Sequence, residues 1–378
     1  MTNAIPRADH CGSLIRPAYL KEARSEFVHG RLSRERLEEV EDRAILDVLA
    51  MQRDVGLDIY SDGEFRRGSW LAAISEDFFE GMHNEGIDYI RYPFLQGAKV
   101  KDPEVEIPAN PIVVGKLKLK RRITDREIAF LKRHAPGPFK TTIPSPVTLS
   151  RASYRAGISD KVYPTWQDFF DAYTDLTVGE IAAAVADGAT YVQLDAPHYT
   201  RFIVPERRRQ LTDLGIDLGK ELDAAIAAEN RCLRAARRDG VTVAVHICLG
   251  TFILGVQGPL GGAGAYDESI VQRLIHELDA DIFLLEYSER AGSLETLRGT
   301  PKGKTISLGI VNIRDPRVET RDEILRKVET AAKYVPVENL SLCPNCGFSG
   351  SAADAWVGED IEKRKLAALV EAARKIWN

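Results

Sequence analysis

Cysteine is scarce here, five residues in 378. An odd number spread thinly over a long chain does not make a disulfide framework. In a reducing compartment such cysteines serve metals or catalysis, and the cytoplasm is the expected location. No run of roughly 18 apolar residues is present, so no membrane-spanning helix is expected. The opening MTNAIPRADHCGS lacks the apolar core of a signal peptide. A basic excess is missing too: 51 Lys+Arg stand against 56 Asp+Glu, a net charge of −5. With charges mixed throughout, there is no basic face to meet a nucleic acid. Internal repeats, low-complexity tracts and Pro/Gly/Ser linkers are all lacking. The chain therefore reads as one domain over 1–378. Small molecules are the expected partners, and a homo-oligomer is compatible with the composition.

What is present is a rhythm. Eight β-like runs cover 8–14, 57–63, 140–146, 190–196, 241–247, 281–287, 305–311 and 340–346. Helical patterns separate them, at 33–56, 168–188, 218–240, 321–335 and 359–378. Ser33 is an N-cap candidate, although Arg36 at the third position after it rules out a strict capping box. Alternating strands and helices predict parallel strands with crossover helices, and eight of them predict a closed (β/α)8 TIM barrel. The segment at about 83–123 breaks the rhythm and reads as a hairpin inserted after the second strand.

Chemistry collects at the predicted strand ends. In VAVHICLGTF (243–252) His246 and Cys248 are two apart, so both project to one face of a strand. A barrel carries its active site at that C-terminal end. In DIFLLEY, Glu286 is a carboxylate in an apolar run, which needs a cation or a partner. The last run ends in CPNC, supplying Cys343 and Cys346. Imidazole, thiolate and carboxylate are zinc ligands, and four complete a tetrahedron. A displaceable glutamate would let a substrate thiol reach the metal, which deprotonates it. Taken singly, His-x-Cys reads as ordinary core, the CPNC pair as half a zinc knuckle, and Glu286 as the partner of an arginine. With no second CxxC, a four-cysteine ribbon is not expected.

Other strand ends add polar groups: His10, Cys11 and Ser13; Asp62, Glu64, Arg66 and Arg67; Asp195 and His198; Asn312, Arg314 and Arg317. Acids among these suit a substrate ammonium, and Ser13 with backbone amides suits a carboxylate. The three arginines 66, 67 and 317 read equally well as surface salt bridges.

The set His246-x-Cys248, Glu286 and Pro344-Asn345-Cys346-Gly347 resembles the catalytic domain of cobalamin-independent methionine synthase. The resemblance implies a zinc site of His246, Cys248, Glu286 and Cys346, with Cys346 and not Cys343 as the last ligand. CGSL (11–14) resembles the family's glycine-serine turn, which implies that Ser13 receives an amino-acid carboxylate. DGEFRR (62–67) and QLDAP (193–197) resemble its GEF and QIDEP motifs, which implies that Glu64 and Asp195 hold the ammonium. SPVT (145–148) resembles its GPVT turn. Three departures stand out. The family's full-length enzymes carry a second, N-terminal barrel that this sequence does not contain. Ala196 replaces a second acid. Arg314 in NIRDP aligns with a histidine of the family's DIHSP motif, which relays a proton. The sequence also resembles single-barrel relatives, among them epoxyalkane:coenzyme M transferase.

The resulting expectation is a zinc-dependent S-methyltransferase that activates a small, homocysteine-like thiol for attack on a methyl donor. His10, His198 or Asp195 would supply the leaving-group proton. The alternatives are a zinc thiol alkyltransferase that opens an epoxide, with Arg314 anchoring a sulfonate or alkoxide, and a non-catalytic structural zinc protein.

Overall fold

The structure, a computed structural model, describes residues 5–68, 78–84, 111–149, 153–248, 267–287, 293–350 and 355–377. Its strands are β1 (Phe79–Asn84), β2 (Pro111–Leu119), β3 (Thr141–Pro144), β4 (Tyr191–Asp195), β5 (Thr242–Ile247), β6 (Ile282–Glu286), β7 (Thr305–Val311) and β8 (Leu340–Pro344). Strands β3 to β8 form one sheet in sequential order, and every adjacent pair is parallel. Crossover helices join parallel strands of this kind, so the fold is α/β around a parallel-strand core.

The first two predicted strands are a correction. Residues 8–14 and 57–63 form only single parallel bridges, Ala8 to Leu342 and Tyr60 to Phe139. Both stretches turn early, at Gly12 and at Gly63-Glu64, all three in the left-handed region. What they add to the backbone network is short: Leu342 N donates to Arg7 O, Asp58 N to Ala8 O, and Lys140 N to Tyr60 O. The predicted hairpin also shifts. β1 and β2 pair antiparallel, but β1 begins at Phe79 rather than near 83. Residues 85–110 lie outside the described residues.

Helix ends follow local chemistry. Ser33 Oγ accepts from Arg36 N, as an N-cap does, and Gly56 closes that helix (Arg34–Val55) in the left-handed region. The next predicted helix begins two residues earlier than expected, at Trp166, because Thr165 and Asp168 form a reciprocal capping box. The helix expected over 218–240 stops at Ala236: Arg237 is extended, and its guanidinium is tied to Asp281 and to Asp279 O. Among the described residues, no helix is long and apolar enough to cross a membrane.

The main core lies between strands and helices, with Val243, Val245, Phe283 and Leu285 on the outward faces of β5 and β6. A separate inner cluster joins Cys11, Ile59, Tyr191, Ala244, Ile282, Leu284 and Cys343. Alternation along β5 and β6 then puts His246 and Glu286 one step above Ala244 and Leu284, on the same inner face.

The C-terminal helix Glu359–Trp377 braces the first turn: Ile15 N donates to Glu362 Oε1 at 3.0 Å. Burial, which outweighs that bond, pushes the Glu362 carboxyl from 4.5 up to about 8. The folded state therefore keeps a proton that the unfolded chain releases. Its contribution to stability is full below about 4.5 and is lost as pH rises through about 8. Glu362→Gln keeps the acceptor and removes the titration. Thermal melts should show the variant gaining on the wild type from pH 5 to pH 8, with a constant margin above. Parallel pH profiles would contradict this.

Candidate metal centre

β5 delivers His246 and the residue just past its end, Cys248, and both are buried. His246 Nδ1 donates to Leu284 O at 3.1 Å, which leaves Nε2 as the ring nitrogen available to a metal. Nε2 is buried and has no hydrogen-bond partner among the described residues. The Pro344–Gly347 turn after β8 brings up Cys346. One donor atom each from His246, Cys248 and Cys346 lie within 4.8 Å of one another. Glu286, at the end of β6, accepts from Cys248 Sγ at 3.3 Å and from Asn345 Nδ2 at 3.3 Å. It borders the three-residue group without belonging to it. Cys343 goes elsewhere, into the inner cluster, with Sγ 3.7 Å from Ser307 O.

The electrostatics favour a cation at this point. Burial opposes an imidazolium, yet Cys248, Asp195 and Cys343 together outweigh it and push His246 up to about 9. Cys346 first, then burial and Glu286, push the Cys248 thiol well above its ordinary value. A buried imidazole nitrogen grouped with Cys346 and with a Cys248 thiol that resists ionisation fits a divalent metal, which would supply the charge that thiol lacks. The donor types suit zinc.

A cluster of buried polar side chains lies beside this centre. Ser13 Oγ donates to Glu64 Oε2 at 2.5 Å, and Thr142 Oγ1 donates to Glu64 Oε1 at 2.8 Å. Glu64 has φ 60°, a conformation unfavourable for a residue with a side chain. Such local strain persists only where the surroundings enforce it. Arg67 is 3.8 Å from Glu64 but commits two nitrogens to Glu127, at 2.8 and 2.6 Å. Asp195 ends β4 in register with His246, and Gln193 Nε2 donates to its Oδ1 at 2.7 Å. Burial and Glu64 push the Asp195 carboxyl up to about 6.

Two close approaches at glycine hold the halves together. A Cβ on Gly347 would lie 2.8 Å from Ser13 N and 3.1 Å from Cys11 O. A Cβ on Gly309 would lie 2.6 Å from Leu285 O and 3.0 Å from Asn345 Cα. Gly347→Ala should therefore push the Cys346 turn off the Ser13 turn and weaken metal retention about 10-fold or more, as loss of an outer-sphere support does. Zinc titration against a chelator measures this; unchanged affinity would contradict it.

The remaining sequence candidates divide. His10 Nε2 hydrogen-bonds Ser61 Oγ at 2.7 Å, and burial with Lys140 holds the ring well below its ordinary value. His198, in the short turn Pro197–Tyr199, is likewise held well below by burial, Arg201 and Arg207. Both rings are neutral near pH 7. Arg66 pairs with Asp42 and Glu41, and Arg317 pairs with Glu323 on the surface. Arg314, after β7, stacks on Trp356. Sequence reasoning missed Lys140, fully buried, whose Nζ donates to Asp9 Oδ1 and Gln193 Oε1, both at 2.8 Å. Lys140 thereby fixes which end of the Gln193 amide meets Asp195. A lysine opening the β-like run 140–146 was the available signal. Thr142, Glu127 and Asn345 were also missed.

Comparison with known proteins identifies the family. Residues 8–375 match the family described as "Cobalamin-independent synthase, Catalytic domain". The uncharacterized protein YxjH of Bacillus subtilis is 30% identical, over 98% of this chain and 94% of its own. The methionine synthase of Pyrococcus abyssi is 25% identical, over 96% of this chain and 90% of its own. A solved B12-independent methionine synthase from Shewanella sp. W3-18-1, in complex with selenomethionine, superposes with a TM-score of 0.72 at 22% identity, covering 99% and 98% of the two chains. Matched over nearly its whole length, the chain belongs to the cobalamin-independent synthase catalytic-domain family.

Proposed function

We propose that this protein is a methionine-synthase-like S-methyltransferase acting on a small amino-acid thiol such as homocysteine. The observation that carries the reading is the convergence of His246 Nε2, orphaned and buried, with Cys248 and Cys346 beside the Ser13–Glu64–Asp195 pocket. Zinc held by His246, Cys248 and Cys346, with Glu286 as the displaceable fourth ligand, would keep the acceptor thiol ionised at neutral pH. We read the backbone links through residues 7–9 and 58–60 as closing the parallel strands into a (β/α)8 barrel, with this centre at the strands' C-terminal ends.

The chain's own residues supply the rest. Glu64 and Asp195 are buried acids, Glu64 adds to the cost of ionising Asp195, and a substrate ammonium beside them relieves that cost. The Ser13 hydroxyl is committed to Glu64, so the backbone N–H groups of the adjoining turn are left to face the substrate carboxylate. Glu64 keeps Ser13 and Thr142 as fixed donors, so the pocket is formed before the substrate arrives. The acceptor sulfur forms a bond to the methyl carbon, and the donor's leaving atom departs with the electron pair of the broken bond. A proton must reach that atom. Of His10, His198 and Asp195, only Asp195 has its proton affinity raised, so Asp195 is the proposed carrier and Glu64 is left to hold the ammonium.

Arg314, standing where the resemblance places a histidine, favours a second reading in which the same activated thiol opens an epoxide. One experiment separates the two. Zinc-loaded protein is given homocysteine with methyl donors, then coenzyme M with a short epoxide, and thiol consumption is followed. Turnover of homocysteine supports the first reading, and turnover of coenzyme M overturns it.

A further inference from the structure

Arg314 follows β7 and carries a guanidinium edge whose chemistry is unspent. Its Nε and Nη2 are buried without a hydrogen-bond partner, and no ion pair involves it among the described residues. These two nitrogens form one edge of the guanidinium fork. Arg31, Arg67 and Arg273 each spend that same edge on a single carboxylate, those of Glu26, Glu127 and Glu277. The acid next to Arg314 in sequence, Asp315, faces Arg317 instead, at 3.8 Å. The arm is also held in place. The guanidinium carbon lies 4.8 Å from the centre of the Trp356 ring, a cation–π contact on one face of the guanidinium. The backbone below it is fixed, with Arg314 N donating to Asn312 Oδ1 at 3.0 Å and Ile313 N to Asn345 Oδ1 at 3.1 Å. Asn345 in turn donates to Glu286, so the turn is coupled to the metal-binding group.

We propose that the Nε/Nη2 edge of Arg314, backed by Trp356, binds an oxyanion, a carboxylate or sulfonate, carried by the carbon-donating substrate. A planar fork matches two oxygens of such a group, and burial strengthens the pair. Assignment to the donor follows from the division of charge around the strands. The acids Glu64 and Asp195 follow the Tyr60 stretch and β4, and Glu64 serves the acceptor's ammonium. Arg314 follows β7, between the strands that carry Glu286 and lead to Cys346. Arg314 is thus a specificity residue for the second substrate. The inference rests on the reading of the centre as a thiol-activating site.

The test uses zinc-loaded protein titrated with methanesulfonate and acetate, with dimethyl sulfone and acetamide as uncharged counterparts. Tryptophan fluorescence and calorimetry follow binding, and a Trp356→Phe variant assigns the optical signal. The expected result is saturable binding of the charged probes only. It should weaken about tenfold or more in Arg314→Gln and partly recover in Arg314→Lys, with zinc content unchanged in both. Binding should persist at saturating homocysteine. Absence of probe binding, or equal binding in Arg314→Gln, overturns the proposal. Competition between probe and homocysteine overturns the assignment to the donor. Homocysteine binding is scored separately, from the absorption of the cobalt-substituted protein. Its failure would sink the thiol-activating reading while leaving the anion result legible.

Discussion

Cys248→Ser and Cys346→Ser should each purify without stoichiometric zinc and without methyl transfer. The two sulfurs and a ring nitrogen of His246 form the only three-residue donor group of this kind among the described residues. A serine hydroxyl does not replace a thiolate on a soft-to-borderline metal. Loss of either ligand should therefore exceed the roughly 10- to 100-fold that loss of an outer-sphere partner costs. Cys343→Ser is the control. That thiol lies in the inner cluster against Ser307 O, so its replacement should leave zinc content at wild-type level. Metal analysis of the three variants settles the matter. Full zinc in Cys346→Ser with loss in Cys343→Ser would reverse the assignment.

Glu64→Gln should raise KM for homocysteine by about 30-fold or more, the counterpart of the roughly 2–5 kcal/mol that truncating a buried, hydrogen-bonded charge pair costs. The substitution preserves shape, and the amide oxygen still accepts from Ser13 or Thr142. Arg67 remains tied to Glu127, so the pocket wall stays in place. Only the charge facing an ammonium is removed. A thiol without an ammonium, such as 3-mercaptopropionate, should bind variant and wild type alike. Equal weakening for both thiols would mean that Glu64 is structural.

The sequence was most legible where chemistry follows a local period. The skip between His246 and Cys248 is strand alternation, and Glu286 sits at a strand end for the same reason. The choice between Cys343 and Cys346 was not local. Both close the same run, and only the family resemblance pointed to the second. The structure supplies the physical reason: β8 ends at Pro344, so Cys343 still faces the inner packing while Cys346 rides the turn beyond it. Lys140 was missed because its meaning depends on Asp9 and Gln193, 131 and 53 residues away. Gly309 was missed because its value lies in what passes close to it. The first two strands were overestimated because their apolar residues serve the inner cluster and the turns, not a long ladder.

The most direct test of the central claim is zinc X-ray absorption of the loaded protein, before and after homocysteine is added. The account predicts two sulfurs with nitrogen and oxygen ligands at first, and one more sulfur in place of an oxygen once the thiol is bound. A zinc spectrum that homocysteine leaves unchanged, at concentrations that saturate binding, would contradict it.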